Sequence, residues 1–388
     1  MILVDATPLQ SEHRLRGVGT YVRHLAPALA LRLGSDVRFA CSVRPRDTLP
    51  EAVLSRAVWG VRGHRPAQVY WLYNEWFLRS VMRKSGSRLF HATDFNGVVT
   101  WPHVVTVATL HDLIALEAPP AGFGPSAQAS ALRWHVYFHR KLARVHRLIA
   151  VSRHVKETAV RLLRLPADRI DVVYPGTDLT RFETPAEASP YRRYAPYLLF
   201  VGPPRANKNF HRVWPAFAGL APRHPRLRLL VAGVWTPRET QWLEADATRR
   251  GLRGRVVVLG YVPSERMAGL FQHAAGLMFP SEAEGFGSPI VEAMAAGTPV
   301  ITANRGAVAE VGGGAVLSVD PESVEDMARA METLASRPRL REQLIRRGRA
   351  RARRFSTEAM AEQTIAVYDR ALAAPPNFER ASSAPFDR

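Results

Sequence analysis

Two carboxylates flank a glycine-rich stretch of the chain and could together hold a ligand rich in hydroxyl groups. Glu284 directly precedes the sequence GFGS, and seven residues separate it from Glu292. The glycines let the backbone approach a ligand closely, and a helix is predicted to begin near Ser288, with Pro289 suited to its first turn. The N-terminus of a helix offers N–H groups and a positive dipole end to an anion. The stretch therefore predicts a ligand with hydroxyls on both sides of a phosphate, as in a sugar nucleotide.

A lysine after a second glycine could neutralise such a phosphate. Of the 53 basic residues in the chain, only four are lysines and 49 are arginines. Lys208 is one of the four, and it lies shortly after the apolar run 198–201 and Gly202. Because this chain uses arginine for nearly every cation, a lysine at this place indicates a need for a compact point charge.

Apolar runs that alternate with helical patterns must position these residues. In the first half of the chain, the sequence RGVGT is followed by apolar residues at every fourth position from Tyr21 to Leu33. A second series of strand-like runs begins at Leu198. Strands that alternate with helices predict parallel, doubly wound sheets. We therefore predict an α/β protein with two Rossmann-like domains in tandem and an active site in the cleft between them.

The ordered set of motifs resembles the retaining glycosyltransferases of family 4, which have the GT-B fold. The spacing of Glu284 and Glu292 inside GFGSPIVEAMAAGTPV resembles the signature of that family. Further matching stretches, in chain order, are RGVGTY at 16–21, HDL at 111–113, AVS at 150–152, VYPGTD at 173–178, the segment 201–209 and GYV at 260–262. The agreement extends over both predicted domains, and its nearest likeness is to bacterial mannosyltransferase-like members.

The resemblance implies a role for each matching residue. Glu292 would accept hydrogen bonds from the ribose hydroxyls, Glu284 would hold hydroxyls of the transferred sugar, and Lys208 would offset charge on the departing diphosphate. The other implied positions are Phe286 and Gly287, with backbone N–H groups toward the sugar; Ser288 and Pro289, nearer the diphosphate; Val262, at the base; His111, close to the reacting carbon; and Gly19, whose backbone would approach the phosphate.

Breaks in the alternating pattern predict the domain boundaries. The segment 184–197 is rich in proline, alanine and polar residues, which is typical of a linker. The predicted parts are an acceptor-side domain over 1–185, a linker over 186–197, a nucleotide-sugar-binding domain over 198–355, a helix over 356–373 that returns to the first domain, and a disordered tail over 374–388.

The sequence departs from the family pattern at the phosphate. Many relatives carry arginine where this chain has Pro203 or Asn207, and Arg205 between them could serve instead. The chain contains no Asp-x-Asp pair and no His or Cys cluster with metal-ligand spacing. We therefore predict transfer without a metal or other cofactor. The resemblance implies retention of anomeric configuration, with same-face substitution favoured over double displacement, which would need a carboxylate nucleophile.

The net charge of +19 has two interpretations, an arginine-rich solvated surface or an anionic partner. Residues 130–149 predict an amphipathic helix with Trp134 and Phe138 on one face and arginines on the other. That helix either packs on the first sheet or contacts anionic lipid.

No signal peptide is visible in residues 1–10, and no apolar run is long enough to cross a membrane. We expect a cytoplasmic protein, peripheral at the inner membrane face if the lipid contact exists.

The function predicted on these grounds is transfer of a hexose, with mannose and GDP-mannose favoured, to a saccharide or lipid-linked saccharide in polysaccharide or glycoconjugate synthesis. UDP- and dTDP-sugars are the alternative donors. A glucan-synthase-like or disaccharide-forming transferase of the same fold is the alternative enzyme. A nucleic-acid-binding protein would cluster basic and aromatic residues on one surface, whereas the positive charge here is spread over both halves of the chain.

Overall fold

The chain forms two compact α/β units. The computed structural model describes residues 1–11, 14, 17–42, 49–60, 70–117, 139–186 and 189–373. The first unit contains residues 1–176 and the segment that begins at Thr357, and the second contains Thr177–Ser356.

The first unit is built on a seven-stranded parallel sheet in the order β3-β2-β1-β4-β5-β6-β7. The central strands are buried along their whole length, which explains why they read as continuous apolar runs rather than as alternating patterns. The strands are β1 (Ile2–Asp5), β2 (Val37–Ser42), β3 (Ala57–Gly60), β4 (Leu89–Ala92), β5 (Val105–Leu110), β6 (Arg147–Ala150) and β7 (Ile170–Val172).

Helices cover this sheet, and one of them comes from the end of the chain. Helix Thr357–Ala373 packs against helix Gly17–Leu33 and strand β5, and its buried Val367 and Tyr368 join the apolar core of the first unit. Other α-helices of this unit, among the described residues, are Glu51–Leu54, Tyr70–Ser85, Ile114–Glu117 and Arg153–Leu163.

The second unit repeats the design with a six-stranded parallel sheet in the order β10-β9-β8-β11-β12-β13. Its strands are β8 (Tyr197–Val201), β9 (Arg228–Ala232), β10 (Val256–Gly260), β11 (Gly276–Phe279), β12 (Val300–Ala303) and β13 (Leu317–Val319). Its α-helices are Leu179–Glu183, Phe210–Leu220, Pro237–Arg249, Ser264–Gln272, Ser288–Ala296, Gly306–Gly312, Val324–Ser336 and Pro338–Ala352. In both sheets the strand order reverses beside the first strand, as in the Rossmann fold, so the predicted fold class is confirmed.

The division between the units lies at Gly176 and Thr177 rather than at residue 185. The described part of the predicted linker 186–197 belongs to the second unit. Gln272 holds its start: the Gln272 side chain accepts from the Ala186 N–H at 2.8 Å and donates to the carbonyl of the preceding Thr184 at 2.7 Å. The proline and alanine content of this segment gave no sign of these hydrogen bonds. The predicted tail 374–388 lies outside the described residues.

Within the described ranges, no helix is both long and apolar enough to cross a membrane. Of the predicted basic helix 130–149, residues 130–138 lie outside the described part of the chain. In the remainder, Leu142 and Val145 are buried and β6 begins at Arg147.

Candidate active site

The strand order of the second sheet brings two loops together. Strands β8 and β11 are neighbours, and the next strand along the chain from β8 lies on its other side. Loops that follow the carboxyl ends of such strands form the crevice in which α/β proteins bind ligands. The loop after β8 contains the 3₁₀ helix Ala206–Lys208, and the loop after β11 carries Glu284.

Lys208 and Glu284 meet between these two loops. The Lys208 Nζ donates to the Glu284 Oε1 at 2.5 Å, and the side chains are 21% and 13% exposed. The ammonium group also lies 5.0 Å from the centroid of the Phe279 ring. A pair this sheltered interacts more strongly than a surface ion pair and fixes both side chains. The structure therefore brings together the two charges that the sequence assigned to the phosphate and to the sugar.

Two asparagines that the sequence analysis missed hold these loops in place. Asn209 is buried, and its side-chain amide donates to the carbonyls of Pro280 and Pro321. The backbone carbonyl of Asn207 accepts from the Glu282 N–H at 2.9 Å. In the sequence, Asn207 is notable only because many relatives carry arginine there. Its contact with the second loop shows that it helps to position that loop, while the exposed Arg205 lies at the start of the 3₁₀ helix.

Glycines allow the loops after β8 and β9 to approach each other. Gly202 has φ +140°, and a Cβ added at Gly202 would lie 3.5 Å from the aliphatic part of the Lys208 side chain. Gly233 has φ +152°, and a Cβ there would lie 2.6 Å from the carbonyl carbon and oxygen of Gly202. Backbone atoms cannot move aside as a flexible side chain can. Glycine at 233 is therefore required by this close contact.

Gly233→Ala is expected to lower the free energy of unfolding by about 1–3 kcal/mol, because it adds both a strained φ and a backbone clash. Urea unfolding would measure the change. Gly219→Ala is the matched control, since Gly219 lies in helix Phe210–Leu220 and a Cβ there meets nothing within 4 Å. That variant should be neutral or slightly more stable. Equal losses in both variants would contradict the close-contact explanation.

The helix predicted after the glycine-rich stretch begins at Ser288 and ends at Ala296. Gly287 precedes it with φ +100°, and Gly297 follows it with φ +77°. Pro289 has no N–H, and the Ile290 N–H donates to the Gly287 carbonyl at 2.9 Å. Ser288 is thus the first-turn residue whose N–H is best placed for an anion, while Pro289 can contribute only shape. The side chain of Phe286 is buried, with its ring 5.5 Å from the Phe355 ring.

Glu292 is a half-buried carboxyl on the same helix. Burial raises the pKa of the Glu292 carboxyl to about 7, and the positive charge of Arg181 acts in the opposite direction. A carboxylate in this setting accepts hydrogen bonds from ligand hydroxyls in competition with little water. Its ionisation near neutral pH makes its acceptor strength sensitive to pH.

In the first unit, His111 follows β5 and is held from two sides. The His111 Nε2–H donates to the Thr93 carbonyl at 2.8 Å, and the His111 ring meets the Tyr21 ring edge-on with centroids 4.9 Å apart. The Tyr21 hydroxyl in turn lies 3.2 Å from the Thr109 Oγ1. Asp112, which follows, accepts from the Ile114 N–H at 3.3 Å and so caps the next turn.

The other two predicted positions lie at the ends of elements. Gly19 is buried in the first turn of helix Gly17–Leu33. Its N–H belongs to the first turn, where backbone donors have no partner inside the helix. Val262 is 8% exposed and follows β10, next to the half-exposed Tyr261. Among the residues that the structure describes, no group of three or more His, Cys, Asp or Glu side chains could hold a metal ion.

Two protein families match the chain, one in each half. "Glycosyltransferase Family 4" matches residues 15–181, and "Glycosyl transferases group 1" matches residues 186–351. O-antigen chain mannosyltransferase B of Escherichia coli is 30% identical over 273 residues, which are 68% of this chain and 69% of that protein. A D-inositol 3-phosphate glycosyltransferase of Rhodococcus opacus is 30% identical over 278 residues, 68% of this chain and 62% of that protein.

Solved structures show the same fold at lower sequence identity. Sucrose-phosphate synthase from Thermosynechococcus elongatus superposes with a TM-score of 0.78 at 22% identity, covering 96% of this chain and 99% of that one. Anabaena HepE, in complex with UDP-glucose, superposes with a TM-score of 0.72 at 19% identity, covering 95% of this chain and 99% of that one. These matches concern the fold alone.

Proposed function

Because the chain belongs to glycosyltransferase family 4, we propose that it transfers a hexose from a nucleotide-diphosphate sugar, with mannose from GDP-mannose as the favoured donor. The acceptor is a saccharide or a lipid-linked saccharide, and the anomeric configuration is retained. The observation that carries the proposal is the meeting of Lys208 with Glu284 beside the start of helix Ser288–Ala296. The similarity to an O-antigen chain mannosyltransferase supports the choice of sugar.

The donor is proposed to lie along the loops of the second unit. Glu292 accepts from the ribose hydroxyls, and the N–H groups near Gly287 and Ser288 face the sugar and the diphosphate. Lys208 places its positive charge at the diphosphate, and Glu284 holds hydroxyls of the hexose. Val262 lies at the base. His111 and Gly19, in the first unit, are proposed to contact the donor sugar and its phosphate.

Bond breaking at the anomeric carbon leaves negative charge on the diphosphate. Lys208 and the positive end of helix Ser288–Ala296 would stabilise that charge, since both are fixed before the reaction begins. The departing phosphate oxygen takes the proton of the acceptor hydroxyl on the same face of the sugar. Glu284 is already paired with Lys208, which supports its role in holding hydroxyls rather than as a nucleophile.

The identity of the acceptor has a second candidate. The similarity to a D-inositol 3-phosphate glycosyltransferase favours a small phosphorylated polyol, and either acceptor is compatible with the same donor site. A glucan-synthase-like or disaccharide-forming activity is the remaining alternative. Contact of residues 130–149 with anionic lipid stays a prediction, as does a peripheral location at the membrane.

A thermal-shift screen with GDP, UDP, dTDP and ADP tests the donor. A nucleotide present at 100 times its Kd stabilises the protein by about 2.7 kcal/mol. At equal concentrations, the nucleotide with the lowest Kd therefore gives the largest shift in Tm, and we expect this nucleotide to be GDP. Release of GDP from GDP-mannose in the presence of a mannose-terminated oligosaccharide, with the product linkage read by NMR, then tests transfer and retention. A larger shift with UDP and transfer from UDP-glucose alone would replace mannose by glucose.

Activity is expected to persist in excess EDTA, because Lys208 and the helix start supply the positive charge at the diphosphate. Initial rates would be compared before and after chelation, with Mg²⁺ and Mn²⁺ added back. An enzyme that loses transfer in EDTA and regains it with either ion would show that a metal carries this role.

A further inference from the structure

A short helix at the start of the second unit places a cation beside the helix that carries Glu292. Helix Leu179–Glu183 packs against helix Ser288–Ala296. The Asp178 side chain caps the short helix by accepting from the Arg181 N–H. This cap and the buried Phe182 side chain fix the direction in which Arg181 leaves the helix.

The guanidinium of Arg181 is sheltered, and one of its nitrogens has no partner. Within the described residues, the Arg181 Nη2 is buried and makes no hydrogen bond. The guanidinium lies 5.3 Å from the centroid of the Phe182 ring, a contact that stabilises a cation weakly. A buried cationic donor without a hydrogen bond is costly, so a compensating interaction is expected nearby. The helix packed against this one carries Glu292, whose carboxylate the positive charge of Arg181 favours.

We propose that Arg181 is a positioning residue for the donor nucleotide, which holds Glu292 in the carboxylate form that accepts the ribose hydroxyls. The proposal rests on the proposed role of Glu292 in the donor site. In this arrangement the cation does not touch the ligand. It sets the charge of the group that does.

The other charged groups around Glu292 leave this role to Arg181. Glu292 is the one charged residue on its own helix. The charged residues on the helices packed against it are Arg181, Glu183, Glu265, Arg266, Glu310, and Glu342 with the arginines of helix Pro338–Ala352. Within the described residues, the charge that lowers the pKa of Glu292 against the effect of burial is that of Arg181.

The sign of the pH dependence follows from these opposing effects. Burial favours the neutral carboxyl, so Glu292 loses its charge as the pH falls through about 7, and nucleotide affinity falls with it. Removal of Arg181 takes away the effect that favours the carboxylate. The pKa of Glu292 then rises further, and the loss of affinity begins at a higher pH.

Calorimetric titration of GDP between pH 6 and pH 8.5 tests the proposal in the full-length protein. R181Q is expected to bind GDP about fivefold more weakly at pH 7, where the neutral carboxyl of Glu292 then predominates, and to recover most of the affinity near pH 8.5. R181K keeps the charge and should retain the wild-type profile. R329Q is the matched control, because Arg329 is an exposed arginine of the same unit with an ion pair of its own. Any change in the ionisation of GDP itself over this pH range is the same for all variants, so it does not affect the comparison between them.

Each outcome decides one question. An R181Q profile equal to that of wild type overturns the role of Arg181. Unchanged GDP affinity in E292Q overturns the assignment of Glu292 to the ribose, and with it the proposed donor site. Weak GDP binding by E292Q, together with a wild-type pH profile for R181Q, overturns only the role of Arg181. Should R181Q not fold by circular dichroism, R181K carries the test: weakened binding at every pH would show that shape and not charge matters, and would overturn the proposal.

Discussion

Lys208→Ala is expected to lower kcat by about 100-fold or more, by analogy with the loss of one preorganised electrostatic donor. The proposed task of Lys208 is to neutralise a diphosphate whose negative charge grows as the glycosidic bond breaks. An interaction that is stronger in the transition state than in the ground state appears in kcat and not only in KM. The alanine variant also leaves the Glu284 carboxylate without its 2.5 Å partner, which adds to the loss.

Steady-state kinetics on three variants would separate charge from geometry. Lys208→Arg should recover part of the rate, because the planar guanidinium needs different space from an ammonium. Arg205→Ala should have a smaller effect, since Arg205 is exposed at the start of its 3₁₀ helix. Folding would be checked by circular dichroism. A Lys208→Ala enzyme with normal kcat and raised KM would show uniform binding of the donor, and a fully active one would remove Lys208 from the site.

Glu292→Ala is expected to weaken binding of the free nucleotide by roughly 1–3 kcal/mol, because a charged hydrogen-bond acceptor is lost. This corresponds to roughly 5- to 150-fold in Kd. Calorimetry at pH 8, above the pKa of about 7, would show the full effect, because wild-type Glu292 is then mostly ionised. At pH 6 the difference between wild type and variant should shrink.

The fold of the Glu292→Ala variant should survive, because the substitution removes a half-buried carboxyl and fills no space. Ala293→Gly on the same helix serves as a control for helix stability: it should cost about 1 kcal/mol of stability or more and leave the pH dependence of binding in place. Unchanged nucleotide affinity in Glu292→Ala at pH 8 would show that the ribose is held elsewhere.

Much of the fold could be predicted because buried parallel strands are continuous apolar runs. The apolar run 198–201 lies in strand β8, and the helix predicted to begin near Ser288 begins there. Strands β3 and β13 lie at sheet edges, and most of their residues are only partly buried. Burial therefore does not impose on them the continuous apolar run that marks the central strands.

The candidate site was predictable where it depends on local spacing and not where it depends on tertiary contacts. The interval between Glu284 and Glu292 is visible in the sequence. The pairing of Lys208 with Glu284 follows from the adjacency of β8 and β11, which the order of elements along the chain does not state. Asn209 reaches carbonyls of two distant loops, and Arg181 acts across a helix interface. No motif at either residue marks such a contact.

A structure of the protein with the nucleotide selected by the thermal-shift screen would show where the donor binds. We expect the ribose hydroxyls to lie within hydrogen-bond distance of the Glu292 carboxylate, at about 2.6–3.2 Å, with the diphosphate at the Lys208 ammonium and the start of helix Ser288–Ala296. A nucleotide bound away from Glu292 and Lys208 would contradict the proposed donor site.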